Sequence, residues 1–210
     1  IAQYDAEIEL NEFARKNGMP VNAVKMVGEA LFRKFTPDNE AIKVRDHQAQ
    51  SLRANFLSGT SPGRNAVITS GTGSGKTESF LLPILARIVA ESIRDGWDLS
   101  ESKNFWWEKP AKQWSPIRAA STRKPAVRAM VLYPTNALVE DQIVRLRRAI
   151  SAISSSGGAQ IWFGRYTGTA SGAVKEGKNG EIKKWSTDEH RKYSNEMIEM
   201  CSTYDEMVAQ

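Results

Sequence analysis

The chain has 210 residues, 40% of them hydrophobic and 25% charged, which allows one cored domain with an appendage and is not the composition of a disordered segment. A single cysteine, Cys201, excludes an internal disulfide framework or a cysteine-built zinc site and suits a reducing compartment. The longest apolar run, residues 80–90, is broken by Arg87 and too short to cross a bilayer, no signal peptide is visible, and the net charge of +5 admits a polyanionic partner without requiring one.

Because it starts at Ile1 and not at Met, the chain is expected to be a piece of something longer. Residues 1–35 read as helical: Leu10, Phe13, Val21, Val24, Val27, Leu31 and Phe35 supply apolar faces, and Asn17-Gly18-Met19-Pro20 interrupts them. This stretch, residues 1–42, is read as a helical lead-in of unknown role, either a docking helix pair or the remnant of an auxiliary domain. A turn at residues 36–39 precedes a second helical stretch from Arg45 to Leu57, closed by a Ser/Gly/Pro loop at residues 58–63. The period then changes. Ala66-Val67-Ile68-Thr69 has the form of a strand buried on both faces. A glycine-rich segment follows, and from Lys76 the apolar residues Phe80, Leu81, Ile84, Leu85, Ile88 and Val89 return to helical spacing, with Pro83 expected to bend the helix.

Residues 95–125 form a polar connection loaded with Trp97, Trp106, Trp107 and Trp114. Interleaved with Lys103, Lys109, Lys112, Arg118, Arg123 and Lys124, these rings suit either a stacking platform for single-stranded nucleic acid or anchors that pack the connection on its own domain. Packing is the preferred reading, since a long loop needs buried anchors. Strand-like residues 129–133 lead into a helix with Val139, Ile143, Leu146 and Ile150 on one face. A flexible loop at residues 154–158, a third strand starting at Ile161-Trp162-Phe163 and a last helix through Met197, Met200 and Tyr204 complete the chain. Alternating strands and helices predict a parallel α/β sheet, and three strands are few enough that the sheet is expected to be incomplete in this chain. Residues 117–148 carry seven basic and two acidic side chains, a band that could meet phosphates or simply face solvent.

The decisive motif is Thr69-Ser70-Gly71-Thr72-Gly73-Ser74-Gly75-Lys76-Thr77, placed between a predicted strand and an amphipathic helix. Glycines at this point let backbone N–H groups converge on phosphate oxygens, and the helix that follows points its positive end at the same anion. Lys76 is positioned for the β- and γ-phosphates and the Thr77 hydroxyl for magnesium, which implies ATP and Mg2+ as ligands. The strict Walker A pattern opens with glycine where this chain has Ser70.

Together with Arg45-Asp46-His47-Gln48 upstream, this loop resembles superfamily 2 helicases of the DEAD/DEAH type, whose Q motif those residues look like. The resemblance implies that Gln48 reads adenine through its amide and that Arg45 lies against the base; Gln48 as a capping residue is the alternative. Tyr133-Pro134-Thr135-Asn136-Ala137-Leu138 is similar to motif Ia, with Asn136 where the better-known version has arginine. Arg165-Tyr166-Thr167-Gly168-Thr169 is similar to motif Ib. The Asp141-Gln142 variant resembles large bacterial helicases with a cysteine-rich C-terminal region, some of them from anti-phage defence systems.

The resemblance implies a RecA-like domain over residues 43–210 and a nucleotide site of Arg45, Gln48, Ser70, Gly71, Thr72, Gly73, Ser74, Gly75, Lys76, Thr77 and Glu78. It further implies nucleic-acid backbone contacts from Pro134, Thr135, Asn136, Thr167 and Gly168. Arg145 and Arg148, on one face of the helix after motif Ia, join them, although Asp141, four residues before Arg145, is a competing partner. Tyr204-Asp205-Glu206-Met207 is not motif II, because its surroundings have helical spacing, so the Asp-Glu pair and the second motor domain are expected beyond this chain. The implied function is ATP-driven movement on nucleic acid, DNA in preference to RNA, in the cytoplasm, with the remainder of the helicase and defence-complex subunits as partners. The competing class is a non-catalytic nucleic-acid-binding or scaffolding module.

Overall fold

The computed structural model describes residues 7–56, 66–69, 73–97, 107, 126–167 and 186–209, with side chains of the last helix through residue 203. They fall into two compact units, one of Ile1–Leu99 with Ala126–Trp162 and one of Ser100–Pro125 with Phe163–Gln210.

In the first unit the Glu9 carboxylate opens α1 (Leu10–Lys16) by accepting from the Asn11 and Glu12 N–H groups at 2.9 and 2.6 Å, two donors that a helix start otherwise leaves unpaired. The break predicted at residues 17–20 is present, and α2 (Val21–Phe32) follows it, ending in a 3-10 turn, Arg33–Phe35. β1 (Ile8–Glu9) pairs antiparallel with β2 (Lys43–Val44), Ile8 opposite Val44. Then come α3 (Asp46–Phe56), α4 (Lys76–Arg94) and α5 (Asn136–Ser155).

Amphipathic spacing dictates how these helices assemble. α2 packs against both α4 and α5, and α3 packs against α4. Val24 and Val27 of α2, Ala49 and Leu52 of α3, Leu82, Leu85 and Val89 of α4, and Ala149 and Ile153 of α5 form one buried cluster with Leu10 and Val44. Each such Val or Leu contributes roughly 1.5–3 kcal/mol of burial. The lead-in helices thus share a core with the helix that follows the glycine-rich loop. A Cβ at Gly28 would collide with Leu10, so glycine there lets α1 and α2 touch.

The expected parallel sheet is not formed among the described residues, whose only sheet is the β1–β2 pair. Residues 66–69, 129–133 and 161–163 lie outside any ladder. Val67, Met130 and Leu132 are 85%, 76% and 82% exposed. The physical reason lies in what such a strand needs. Apolar runs of this kind are stable when hydrogen-bonded neighbours and helices cover them on both sides, and these runs make no ladder with one another. α4 runs from Lys76 to Arg94 with Pro83 inside it. The proline removes the N–H that would serve the Ser79 carbonyl four residues back. The Ser51 hydroxyl of α3 donates to that carbonyl instead, at 2.6 Å.

In the second unit, α6 (Thr187–Ala209) begins with a capping box. Ser186 Oγ accepts from Glu189 N–H at 3.2 Å, and the Glu189 carboxylate accepts from Ser186 N–H at 3.0 Å. Asp205 and Glu206 fall inside this helix, as their spacing predicts for a pair that is not motif II. Among the described residues, no helix is long and apolar enough to cross a membrane.

Candidate functional site

The site is built where α3 meets the start of α4. Gly73 and Gly75 take left-handed φ values of 76° and 79°, a conformation that costs other residues and turns the chain into the helix at Lys76. The Gly75 carbonyl accepts three donors: Gln48 Nε2 at 3.1 Å, Ser79 N–H at 3.2 Å and Ser79 Oγ at 3.1 Å. A Cβ at Gly75 would stand 2.5 Å from Gln48 Nε2, so the close approach of the glutamine also requires glycine.

Gln48 is buried, and its second amide atom is engaged as well: Oε1 accepts from Arg45 N–H at 3.0 Å. That is the return bond of a capping box, with Gln48 three residues into the turn that Arg45 opens. The amide therefore joins the start of α3 to the glycine-rich turn. The Arg45 guanidinium reaches the same turn, donating to the Gly73 carbonyl at 3.4 Å. One turn further along, the Ser51–Ser79 bond repeats the link, and Arg87 donates to the Asn55 carbonyl beyond it. Sequence reasoning missed Ser51 and Ser79. The signal was available: Ser51 lies three residues after Gln48, on the same face of α3, and Ser79 lies four before Pro83.

Lys76 is exposed, and Thr77 and Glu78 are partly buried in the first turn of α4. Ser70, Gly71 and Thr72 lie outside the described residues. What is described fits a phosphate ligand: left-handed glycines, a helix start and an exposed ammonium.

A second group of expected residues surrounds the start of α5. Thr135 caps the helix, its hydroxyl accepting from Leu138 N–H at a long 3.5 Å. A hydroxyl acceptor keeps its own proton available to donate. Pro134, Asn136 and Arg148 are exposed, and no acidic residue occupies the first turn of α5. Burial raises the Tyr133 phenol above its ordinary 10, against a lowering by Arg145, while Asp141 adds to the rise.

Arg145 is placed differently from its sequence-based expectation. Its guanidinium pairs with Glu78 of α4 at 3.1 Å, while Asp141, the partner suggested by spacing, accepts from the Gln142 amide at 2.8 Å. Arg128, in the basic band, is also committed. It pairs with Glu91 at 3.0 Å and lies 5.3 Å from the Trp97 ring centre, which makes Trp97 a packing anchor. Trp107 is buried, and the other tryptophans of the connection lie outside the described residues. Thr167, in the second unit, is buried, and Gly168 lies outside the described residues.

A left-handed glycine turn that opens an amphipathic helix on Lys-Thr, braced by a glutamine from the preceding helix, has the form of a P-loop in a nucleotide-dependent motor. The chain belongs to the DEAD/DEAH box helicase family, whose model matches residues 45–174. The family implies a RecA-like fold. A relative, Druantia protein DruE of Escherichia coli (strain UMEA 4076-1), is 39% identical over 128 residues covering 58% of this chain. The chain spans about 6% of that relative's length. No solved structure matches the chain significantly.

Proposed function

We propose that this chain is the ATP-binding part of a helicase or translocase that couples ATP hydrolysis to movement along nucleic acid, DNA in preference to RNA. Residues 43–210 form the first part of its RecA-like motor domain, and residues 1–42 a helical lead-in. The observation that carries the reading is the Gly73–Gly75 turn held to α3 by Gln48 at the start of α4. Such a turn presents N–H groups and a helix dipole to phosphate without reorganising first.

Lys76 would donate to the β- and γ-phosphates, and the Thr77 hydroxyl would hold magnesium. The metal, when bound, offsets charge on the phosphate oxygens. By resemblance to the family motif, the loop's N–H groups would line the phosphates, and Arg45, together with the amide hydrogen and lone pair of Gln48 not bonded to Gly75 and Arg45, would serve the adenine. Thr135, Asn136 and Arg148 grip nucleic-acid backbone with hydroxyl, amide, helix-start and guanidinium donors, which suit phosphate oxygens and carry no sequence preference. Pro134, Thr167 and Gly168 are each assigned backbone contacts by resemblance to the family motifs. The reaction is completed by the remainder of the helicase, which supplies motif II and a second RecA-like domain. The likeness to DruE, a Druantia protein, supports a defence system as the setting, which we place in the cytoplasm.

A nucleotide titration tests the base assignment. Gln48→Ala is expected to weaken ATP binding about tenfold, the loss of one amide–base pairing worth roughly 1–3 kcal/mol, and to weaken GTP binding less. Equal losses for the two purines would show that Gln48 acts only by bracing the Gly75 carbonyl.

A further inference from the structure

We propose that Glu78 and Arg145 form a positioning pair that ties the phosphate-loop helix α4 to the motif Ia helix α5 and transmits nucleic-acid binding to the ATP site. The proposal rests on the ATP-site reading above and assigns Arg145 a task other than gripping phosphate.

Glu78 stands in the first turn of α4, where the helix dipole stabilises a carboxylate. Its two oxygens face different ways. Oε2 lies 3.4 Å from where a Gly75 Cβ would be, against the phosphate turn, and Oε1 accepts from Arg145 Nη1 at 3.1 Å. The Glu78 side chain is only 15% exposed, so its geometry is set by packing as well as by charge. A carboxylate this close to a phosphate cradle opposes a polyanion unless a cation offsets it, and the guanidinium of Arg145 does so.

Arg145 is placed for the other half of the task. It lies on the helix whose N-terminus carries Thr135 and Asn136, ten and nine residues earlier, and it also acts electrostatically on Tyr133, the first residue of the motif Ia stretch. α4 and α5 both rest on α2, and this ion pair joins the first turn of α4, next to the ATP site, to the middle of α5, whose start would meet the nucleic-acid backbone. A shift of the α5 start on gripping a strand therefore pulls on Glu78 and, through it, on the Gly75 turn. A surface ion pair of ordinary kind would contribute little and transmit nothing. The position of Glu78 against the loop is what gives this one a consequence.

The experiment measures ATP affinity of the protein with and without a saturating single-stranded oligonucleotide, for wild type, Glu78→Gln, Arg145→Gln, the double variant and Arg145→Lys. The ratio of the two affinities is the coupling factor, which in coupled systems is roughly 5- to 150-fold. Each glutamine variant is expected to bring the factor close to one, the double variant to lower it no further, and Arg145→Lys to keep most of it. The log–log salt dependence of oligonucleotide binding should be the same for Arg145→Gln as for wild type. A slope flatter by about 0.7 in Arg145→Gln, with coupling intact in Glu78→Gln, would make Arg145 a phosphate contact and overturn the proposal. Additive losses in the double variant, or a wild-type factor of one, would overturn it too. Wild type that binds no ATP would instead overturn the ATP-site reading on which it rests.

Discussion

Gly75 carries two constraints at once: a φ of 79° and a side-chain amide where its Cβ would stand. The left-handed conformation alone costs an L-residue about 1–2 kcal/mol, and the clash with Gln48 Nε2 adds to it. Gly75→Ala is therefore expected to lower stability by at least that amount and to weaken ATP binding more than tenfold, because the glutamine is pushed off the turn. Thermal denaturation and a nucleotide titration on the same preparation check this; an unchanged ATP affinity would separate the turn from the phosphate site. The glycine requirement was legible in the sequence from the loop's spacing. The bracing by Gln48 was not. A motif names the residue types, whereas the Gly75 carbonyl finds its donor across a gap of 27 residues that no local pattern spans.

At the level of elements, α3 and α4 are joined by a bond that exists because of a proline. Pro83 leaves the Ser79 carbonyl without its helical donor, and Ser51 supplies one in a buried setting. Ser51→Ala should cost about 1–3 kcal/mol, the penalty for an unpaired buried acceptor. In the Ser51→Ala/Pro83→Ala double variant the restored N–H of residue 83 can serve Ser79, so much of the loss should return. Chemical denaturation reads both. Equal stability of the single and double variants would show that the proline does not create the need.

A second local device is Glu29, which accepts from Arg33 while Arg33 donates to the Pro37 and Glu40 carbonyls at 3.1 and 3.0 Å. The hydrogen bond from Arg33 chiefly holds the Glu29 carboxyl below its ordinary 4.5. A lowered carboxylate stabilises the fold fully above that ordinary value, and the contribution disappears as pH falls through the lower folded value. Glu29→Gln is thus expected to lose less stability than wild type on acidification through that window; identical pH profiles would mean the pair is energetically silent.

Helices α1 to α5 were legible because apolar residues at 3.6 spacing report burial within one element. The sheet was not, because a short apolar run says that a strand wants neighbours and does not say where they are. Arg145 shows the same limit: spacing offered Asp141 on its own helix, and the partner proved to be Glu78 on another.

At the scale of the whole molecule, the described part of the basic band, residues 126–148, is a poorer phosphate track than its charge count suggests. Arg128 is held by Glu91 and Trp97, and Arg145 by Glu78, while Arg147 and Arg148 are exposed. Salt dependence of single-strand binding should accordingly be modest, with Arg148→Ala flattening the log–log slope by about 0.7 and weakening unrelated oligonucleotides alike. Unchanged slopes, or losses confined to one sequence, would remove Arg148 from the track.

On the proposed reading, the Gly73–Gly75 turn and Lys76 form the ATP site of a nucleic-acid-driven motor. ATP turnover by the full-length helicase that contains this chain, with and without single-stranded DNA, in wild type and Lys76→Ala, is the direct test. Lys76 is exposed and supplies charge and little packing, so the variant should fold normally. DNA-stimulated turnover is expected in wild type and essentially none in Lys76→Ala; near wild-type turnover in the variant would rule out the ATP-site assignment, and no response to nucleic acid in wild type would rule out the nucleic-acid-driven motor.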